Sequence, residues 1–198
     1  MAKLYFKYGA MGSSKSAQAL ITKFNYEERG MKVLLVKPST DNRDGATIVR
    51  SRIGLKAEAI TVPENEDLYA LYTEGHKECN VIIVDECQFL HPDQVDQLSR
   101  IVIDYNIPVM CFGLSTDFQT HLFPGSKRLF EIADSIAEIK SVCKCGDKAT
   151  VNARIDGQGN VVYTGAQVCI GGNESYVAMC KKCWLKAKVD QEARGIYT

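Results

Sequence analysis

The chain has 198 residues with 24 acidic and 24 basic side chains, so its formal net charge is zero. This balance argues against a protein that binds nucleic acid or an anionic membrane through a broad basic surface. Hydrophobic residues make up 45% of the chain and suffice for a buried core, while no apolar run reaches membrane-spanning length and no basic-then-apolar leader opens the sequence, so the expected location is the cytoplasm.

The N-terminal segment predicts a loop that binds phosphate. An apolar strand is expected over Leu4–Tyr8, followed by a glycine-containing turn that ends in Lys15 and Ser16 and opens a helix. In a phosphate loop the backbone N–H groups surround a polyphosphate, Lys15 reaches the β- and γ-phosphates, and the Ser16 hydroxyl binds Mg²⁺. Ser14 stands where glycine is usual, so an ordinary strand–turn–helix is the competing interpretation.

Strands and helices then alternate along the chain. Buried strands are predicted at 33–36, 81–84 and 109–112, and a further strand at 136–139. Helices are expected after the phosphate loop, from Asn65 or Glu66, and from Pro92. This alternation predicts a domain over residues 1–140 of α/β class, with an open, mostly parallel sheet and helices on both faces.

Two carboxylates, Asp85 and Glu86, directly follow the predicted strand at 81–84. A solvated strand end would explain them, but behind a phosphate loop an acid at this point holds Mg²⁺ and its neighbour can act as a base. Adjacent side chains at a strand end point in different directions, so we assign Asp85 to magnesium and Glu86 to proton abstraction. Asp41-Asn42-Arg43, after the second strand, is either a simple turn or a contact to phosphate or base.

The sequence changes character near Ser141, and residues 141–198 predict a small appended domain. A turn is expected at 156–159, and a closing helix from about Tyr176 towards Arg194. Four cysteines form two close pairs, Cys143-x-Cys145 and Cys180-x-x-Cys183. This pattern is typical of a structural Zn²⁺ site. Free or redox-active thiols and an Fe–S cluster are the alternatives. The remaining cysteines are interpreted as reduced core residues: Cys79, Cys87, Cys111 and Cys169.

Together these residues resemble the type II thymidine kinases, and in particular their bacterial branch. The motifs that carry the resemblance occur in family order along nearly the whole chain: Gly9-x-Met11-x-x-x-Lys15-Ser16, Asp41-x-Arg43, Asp85-Glu86-Cys87-Gln88-Phe89, Gly113-Leu114-x-x-Asp117-Phe118, the four paired cysteines and Ile170-Gly171-Gly172-x-x-x-Tyr176. The resemblance implies a P-loop (RecA-like) domain with a zinc-anchored "lasso" that closes over a nucleoside between Cys145 and Cys180.

The resemblance implies ATP-dependent phosphorylation of the thymidine 5′-hydroxyl, with Mg²⁺ and structural Zn²⁺. Glu86 corresponds to the catalytic base. The residues that correspond to the ATP site are Gly9, Ala10, Met11, Gly12, Ser13, Ser14, Lys15, Ser16, Asp41, Asn42, Arg43, Asp85, Glu86, Cys87 and Gln88. Those that correspond to the nucleoside site are Met11, Phe118, Gln167, Val168, Cys169, Ile170, Gly171 and Tyr176. The resemblance also implies a homotetramer inhibited by thymidine triphosphate.

Two other functions compete with this interpretation. A zinc-containing nucleic-acid binder could use ATP mechanically, although the neutral charge and the lack of a basic, aromatic-interleaved stretch argue against it. A nucleotide sensor without catalysis is the second alternative, and it depends on the unusual Ser14.

Overall fold

The computed structural model describes residues 1–41, 45, 47–167 and 175–197. Its strands are Leu4–Tyr8 (β1), Val33–Pro38 (β2), Ile48–Arg50 (β3), Lys56–Glu58 (β4), Ile60–Val62 (β5), Val81–Val84 (β6), Val109–Gly113 (β7), Ser135–Glu138 (β8), Ser141–Val142 (β9), Lys148–Ala149 (β10), Val151–Ile155 (β11), Val161–Val162 (β12) and Ser175–Met179 (β13). Its α-helices are Lys15–Glu27 (α1), Leu68–Gly75 (α2), Pro92–Tyr105 (α3), Pro124–Ile132 (α4) and Lys181–Glu192 (α5), and a 3₁₀ turn covers Cys87–Phe89.

Six strands form one parallel sheet in the order β5-β2-β6-β7-β1-β8. Neighbouring parallel strands require long crossover connections, and helices supply most of them here. The predicted α/β class with a mostly parallel sheet is therefore confirmed.

The two faces of this sheet bury different residues of each strand. In β6, Val81 and Ile83 pack with Ala19 and Leu20 of α1. Ile82 and Val84 point to the opposite face, which α2, α3 and α4 cover. Because both faces are buried, the central strands are continuously apolar rather than alternating, and the prediction of helices on both faces is also confirmed.

Several element boundaries differ from those predicted. The second helix begins at Leu68, because the Asp67 carboxylate caps it by accepting hydrogen bonds from the N–H groups of Tyr69 and Ala70 at 2.9 and 3.0 Å. The strand expected at 136–139 lies one residue earlier. Strands β3, β4 and β5 were not predicted; β3 and β4 form an antiparallel hairpin, and β5 adds an edge strand to the parallel sheet.

The predicted closing helix is present, but its expected start at Tyr176 was wrong. Residues 175–179 instead form β13, which pairs antiparallel with β11 so that Tyr176 lies opposite Arg154. Helix α5 starts only at Lys181, with Cys180 as its N-cap. Among the residues of α5, Gln191 near the end of the helix is the buried one. The helix therefore lacks an apolar stripe, and no pattern in the sequence marks where it starts.

The chain after Ser141 forms two small antiparallel sheets, β9–β10 and β12-β11-β13, apart from the six-stranded sheet. The predicted turn at 156–159 joins β11 to β12. The Asp156 carboxylate organises it by accepting hydrogen bonds from the N–H groups of Gln158 and Asn160 at 2.9 and 2.8 Å. Among the described helices, none combines the length and apolar character needed to cross a membrane.

Candidate active site

The carboxyl ends of β1, β6 and β7 lie side by side, and the segments that follow them meet at one edge of the sheet. Two glycines allow the close approach. A Cβ on Gly9 would lie 2.3 Å from the Ile139 carbonyl oxygen, and a Cβ on Gly113 would lie 2.5 Å from Oε1 of Gln88. Any larger residue at either position would push these segments apart.

Lys15 is buried at the centre of this edge. Its ammonium donates to the carbonyl oxygens of Gly9 and Ala10 at 3.0 and 2.9 Å and to Oγ of Ser13 at 3.2 Å. Burial lowers the pKa of Lys15, while the charges of Glu86 and Asp85 oppose that shift. The predicted phosphate loop therefore encloses a cation, and α1 begins directly behind it.

Ser14 precedes α1 with a left-handed backbone, at φ 62° and ψ 26°, and its side chain forms no capping hydrogen bond. An L-residue other than glycine pays about 1–2 kcal/mol for this conformation. The glycine of the usual phosphate-loop pattern avoids that cost. The departure noted in the sequence thus falls on a backbone that favours glycine.

Asp85 follows β6 and is 4% exposed. Burial and the neighbouring Glu86 raise the pKa of Asp85 to about 7, whereas a hydrogen bond with the Ser16 side chain lowers it. A carboxylate and a hydroxyl in contact are oxygen ligands of the kind that Mg²⁺ takes in proteins. The two residues predicted to bind magnesium are thus adjacent and suited to that ion.

Glu86 is also held in a left-handed conformation, with φ 53° and ψ 38°. Gln88 donates from Nε2 to Oε2 of Glu86 at 2.5 Å, and its Oε1 accepts from the Leu114 N–H at 2.9 Å. Gln88 is buried, so this bridge fixes the Glu86 carboxylate relative to the end of β7. Backbone strain of this kind persists only where surrounding contacts enforce it, and it is concentrated at functional sites.

Arg154 on β11 gathers the described residues of the expected nucleoside site. Its guanidinium lies 3.8 Å from the centroid of the buried Phe118 ring, donates to the Tyr176 hydroxyl at 3.0 Å and to the Ala166 carbonyl at 3.0 Å. Gln167 lies nearby and donates from Nε2 to Oδ2 of Asp117 at 2.9 Å. Phe118, Tyr176 and Gln167 are thus brought into one region.

Asn152, two residues before Arg154, joins that region to the phosphate loop. Its Oδ1 accepts from the Met11 N–H and its Nδ2 donates to the Thr116 carbonyl, both at 2.8 Å. Neither Asn152 nor Arg154 was predicted as a site residue from the sequence. Polar residues two apart in a strand share one face, and this spacing, just before the predicted turn at 156–159, was the signal that could have found them.

The four paired cysteines converge, with their sulfur atoms within 4.8 Å of one another. Sγ of Cys145 and Sγ of Cys180 are 3.6 Å apart. Tetrahedral Zn²⁺ with Zn–S bonds of about 2.3 Å places its sulfur ligands about 3.8 Å apart, so the cluster fits this ion. Ala10 of the phosphate loop packs against Cys143 and Cys180, which puts the cluster next to that loop.

The structure describes part of two further predicted groups, the unpaired cysteines and the motif Asp41-Asn42-Arg43. Cys79, Cys87 and Cys111 are buried, as predicted. Asp41 forms an ion pair with the buried Lys37 at 3.3 Å. The remaining predicted site residues lie outside the described part of the chain: Asn42, Arg43, Val168, Cys169, Ile170 and Gly171.

The raised pKa of Asp85 gives a prediction for stability. The carboxyl has an ordinary pKa of 3.8 when unfolded and about 7 when folded, so its burial penalty is absent below pH 3.8, grows as the pH rises towards 7 and is constant above. In magnesium-free buffer, we expect Asp85→Asn to increase the free energy of unfolding at pH 8 by a few kcal/mol, with no such gain near pH 4. Urea unfolding across this range measures the effect.

The matched control for that experiment is Asp190→Asn, which removes an exposed carboxylate from α5. It should leave the pH dependence of unfolding unchanged. A gain for Asp85→Asn that is equal at pH 4 and pH 8 would contradict the assigned pKa.

Comparison with known proteins agrees with these observations. The family model described as thymidine kinase matches residues 2–184. A thymidine kinase of Enterobacteria phage T4 is 50% identical over 186 residues, covering 93% of this chain and 96% of that protein. A thymidine kinase of Zymomonas mobilis is 48% identical, covering 94% of this chain and 97% of that protein. A thymidine kinase of Ruegeria pomeroyi is 45% identical, covering 98% of this chain and 100% of that protein. The chain belongs to the thymidine kinase family.

Proposed function

We propose that the protein transfers the γ-phosphoryl group of ATP to the 5′-hydroxyl of thymidine. The bond from O5′ to the γ-phosphorus forms, the bond from that phosphorus to the β,γ-bridging oxygen breaks, and thymidine monophosphate and ADP are the products. The observation that carries this proposal is the Glu86 carboxylate, which Gln88 holds at 2.5 Å next to the buried Asp85 and Lys15. Membership of the thymidine kinase family supports the choice of substrate.

Glu86 accepts the proton of the 5′-hydroxyl as that oxygen attacks. The anchored Gln88 keeps the carboxylate in one orientation, and an oriented base contributes about 10²–10⁴-fold to a reaction of this kind. The backbone N–H groups of residues 9–16 and the Lys15 ammonium bind the phosphates of ATP, together with Asp41–Arg43 and Asp85–Gln88. Mg²⁺, held by Asp85 and Ser16, would neutralise phosphate charge when bound.

The nucleoside is proposed to lie between the phosphate loop and the strands β11 and β13. Met11, Phe118, Gln167 and Tyr176 would contact it, with Val168, Cys169, Ile170 and Gly171 from the segment between the two cysteine pairs. Arg154 supports this assignment, because it contacts both Phe118 and Tyr176 and binds the chain just before Gln167. A pocket that hydrogen-bonds one base penalises another whose groups leave its polar atoms unpaired.

We also propose a division at about residue 140 into a P-loop domain and a zinc-anchored lasso domain. The separation of the six-stranded sheet from the smaller sheets supports it. The family resemblance further supports a cytoplasmic homotetramer inhibited by thymidine triphosphate, and the half-exposed Ile21 and exposed Phe24 on α1 are an apolar surface suited to self-association.

The direct test is phosphoryl transfer from radiolabelled ATP to each of the four deoxynucleosides. We expect thymidine to be labelled, and we expect single-stranded DNA to leave ATP consumption unchanged. Glu86→Gln should retain ATP affinity but lose about 10²–10⁴-fold in kcat, because an amide does not accept the hydroxyl proton. Glu28→Gln, an exposed change at the end of α1, is the control.

Near-normal kcat for Glu86→Gln would show that Glu86 is not the base. ATP hydrolysis that increases with DNA, without transfer to any nucleoside, would overturn the proposed reaction altogether.

Ser14→Gly is expected to tighten ATP binding and raise thermal stability. The relief of about 1–2 kcal/mol of left-handed strain exceeds the 0.4–1 kcal/mol that added chain entropy costs. Calorimetry and the melting temperature measure both effects. Ser14→Ala separates the causes, since it removes the hydroxyl but keeps the Cβ; a Gly variant that is equal to wild type or worse in both measurements would show that the serine is harmless.

The purified protein should contain about one zinc per chain, bound by Cys143, Cys145, Cys180 and Cys183. Cys180→Ser should release the metal and lower the melting temperature, because the metal stabilises the fold that holds it. The serine hydroxyl can still cap α5 through the Cys183 N–H, as Cys180 does, so the loss reports on the metal. Cys111→Ala replaces a buried cysteine of β7, away from any group of potential metal ligands among the described residues, and should retain the metal. Elemental analysis without zinc, or an absorption band typical of an Fe–S cluster, would contradict the assignment.

A further inference from the structure

The β3–β4 hairpin lies beside the phosphate loop and is firmly anchored. Val49 of β3 is buried against Ala19 and Leu20 of α1. At the turn, the buried Ser51 donates its N–H to the Leu55 carbonyl at 2.8 Å and accepts from the Leu55 N–H at 3.0 Å through Oγ. The residue that follows Ser51 is therefore presented from a well-ordered turn.

That residue is Arg52, and its guanidinium reaches the phosphate loop. A Cβ built on Gly12 would lie 3.7 Å from Nη1 of Arg52. The side chain forms no hydrogen bond or ion pair with the part of the chain that the structure describes. The Lys15 ammonium bonds to the carbonyl oxygens of Gly9 and Ala10 in the same loop, so the two cations lie in the same small region.

Two cations next to a loop of backbone N–H groups repel each other, and an anion bound between them relieves that repulsion. Lys15 is buried and already bonded to loop carbonyls, whereas Arg52 approaches from the solvent side. A guanidinium is always charged, and its planar set of donors matches the oxygens of a phosphate group. The arrangement suits a polyphosphate held between the loop and the hairpin.

We propose that Arg52 contacts the phosphates of the bound nucleotide and stabilises the charge of the phosphoryl group during transfer. This inference rests on the proposed function, since it takes the anion to be the triphosphate of ATP. The proposal adds an arginine from the β3–β4 hairpin to the expected ATP site. The arginine expected there from the sequence was Arg43, in the motif after the second strand.

The test compares Arg52→Gln, Arg52→Lys and Arg29→Gln in the full-length protein. Arg29 is an exposed arginine just beyond the far end of α1 and is the matched control. Calorimetry measures binding of adenylyl imidodiphosphate, a triphosphate analogue that is not hydrolysed, and of adenosine, both with Mg²⁺. Steady-state kinetics with ATP and thymidine give kcat and KM.

We expect Arg52→Gln to weaken binding of the triphosphate analogue by about 10- to 100-fold, the effect of losing a hydrogen bond to a charged group. Binding of adenosine should not change, kcat should fall, and Arg52→Lys should recover part of both losses because it keeps the charge. Arg29→Gln should stay within about two-fold of wild type in every measurement, as expected for an isolated surface charge.

Arg52→Gln binding and turnover equal to those of Arg29→Gln would overturn the inference. So would an equal loss of affinity for adenosine and for the triphosphate analogue, since the effect would then not be on phosphate. The proposed function fails separately, if wild type transfers no phosphate to thymidine, and the binding measurements still decide the role of Arg52 in that event.

Discussion

One cluster of charge, formed by the buried Lys15 and Asp85 and the half-buried Glu86, sets the conditions for the rest of the site. Charged groups removed from water are costly unless opposite charges and hydrogen bonds compensate them. Lys15 is compensated by loop carbonyls and by the two carboxylates. Asp85 is compensated only in part, by Ser16 and Lys15, because burial still raises the pKa of Asp85 to about 7. The cluster can form only where three parallel strands end side by side, so the order of strands in the sheet is a precondition of the chemistry.

The small C-terminal sheets are tied to that cluster by a few contacts. Asn152 bonds to Met11 and to Thr116, and Ala10 packs against the paired cysteines. A metal at the four cysteines would therefore stabilise more than the appended sheets. By fixing the end of β13 and the start of α5, it would also fix the strand that carries Tyr176, one of the residues proposed to contact the nucleoside.

Left-handed backbone at non-glycine residues occurs in the same place, and among the described residues also at Asn106 and Thr120. Ser14 and Glu86 both have positive φ. Ser14 directly precedes α1, and Glu86 lies between the end of β6 and the 3₁₀ turn that follows it. For Glu86 the strain accompanies a fixed side-chain orientation, because Gln88 bridges it to Leu114. The Ser14 side chain forms no capping hydrogen bond at the start of α1, so no such bond offsets the backbone strain there.

The sequence alone determined the elements whose signal is local. The buried strand before Asp85 is recognisable because four apolar residues in succession fit a strand covered on both faces, and the phosphate loop and the paired cysteines are recognisable by their spacing. Tertiary structure decided what depends on contacts between distant segments. The pairing of β13 with β11 makes the first residues of the predicted closing helix a strand. Helix α5 buries little surface, so the sequence held no apolar pattern that could have located its true start. Asn152, Arg154 and Arg52 acquire their positions only when β11 and the β3–β4 hairpin are set against the sheet edge, because the groups they contact are far away along the chain.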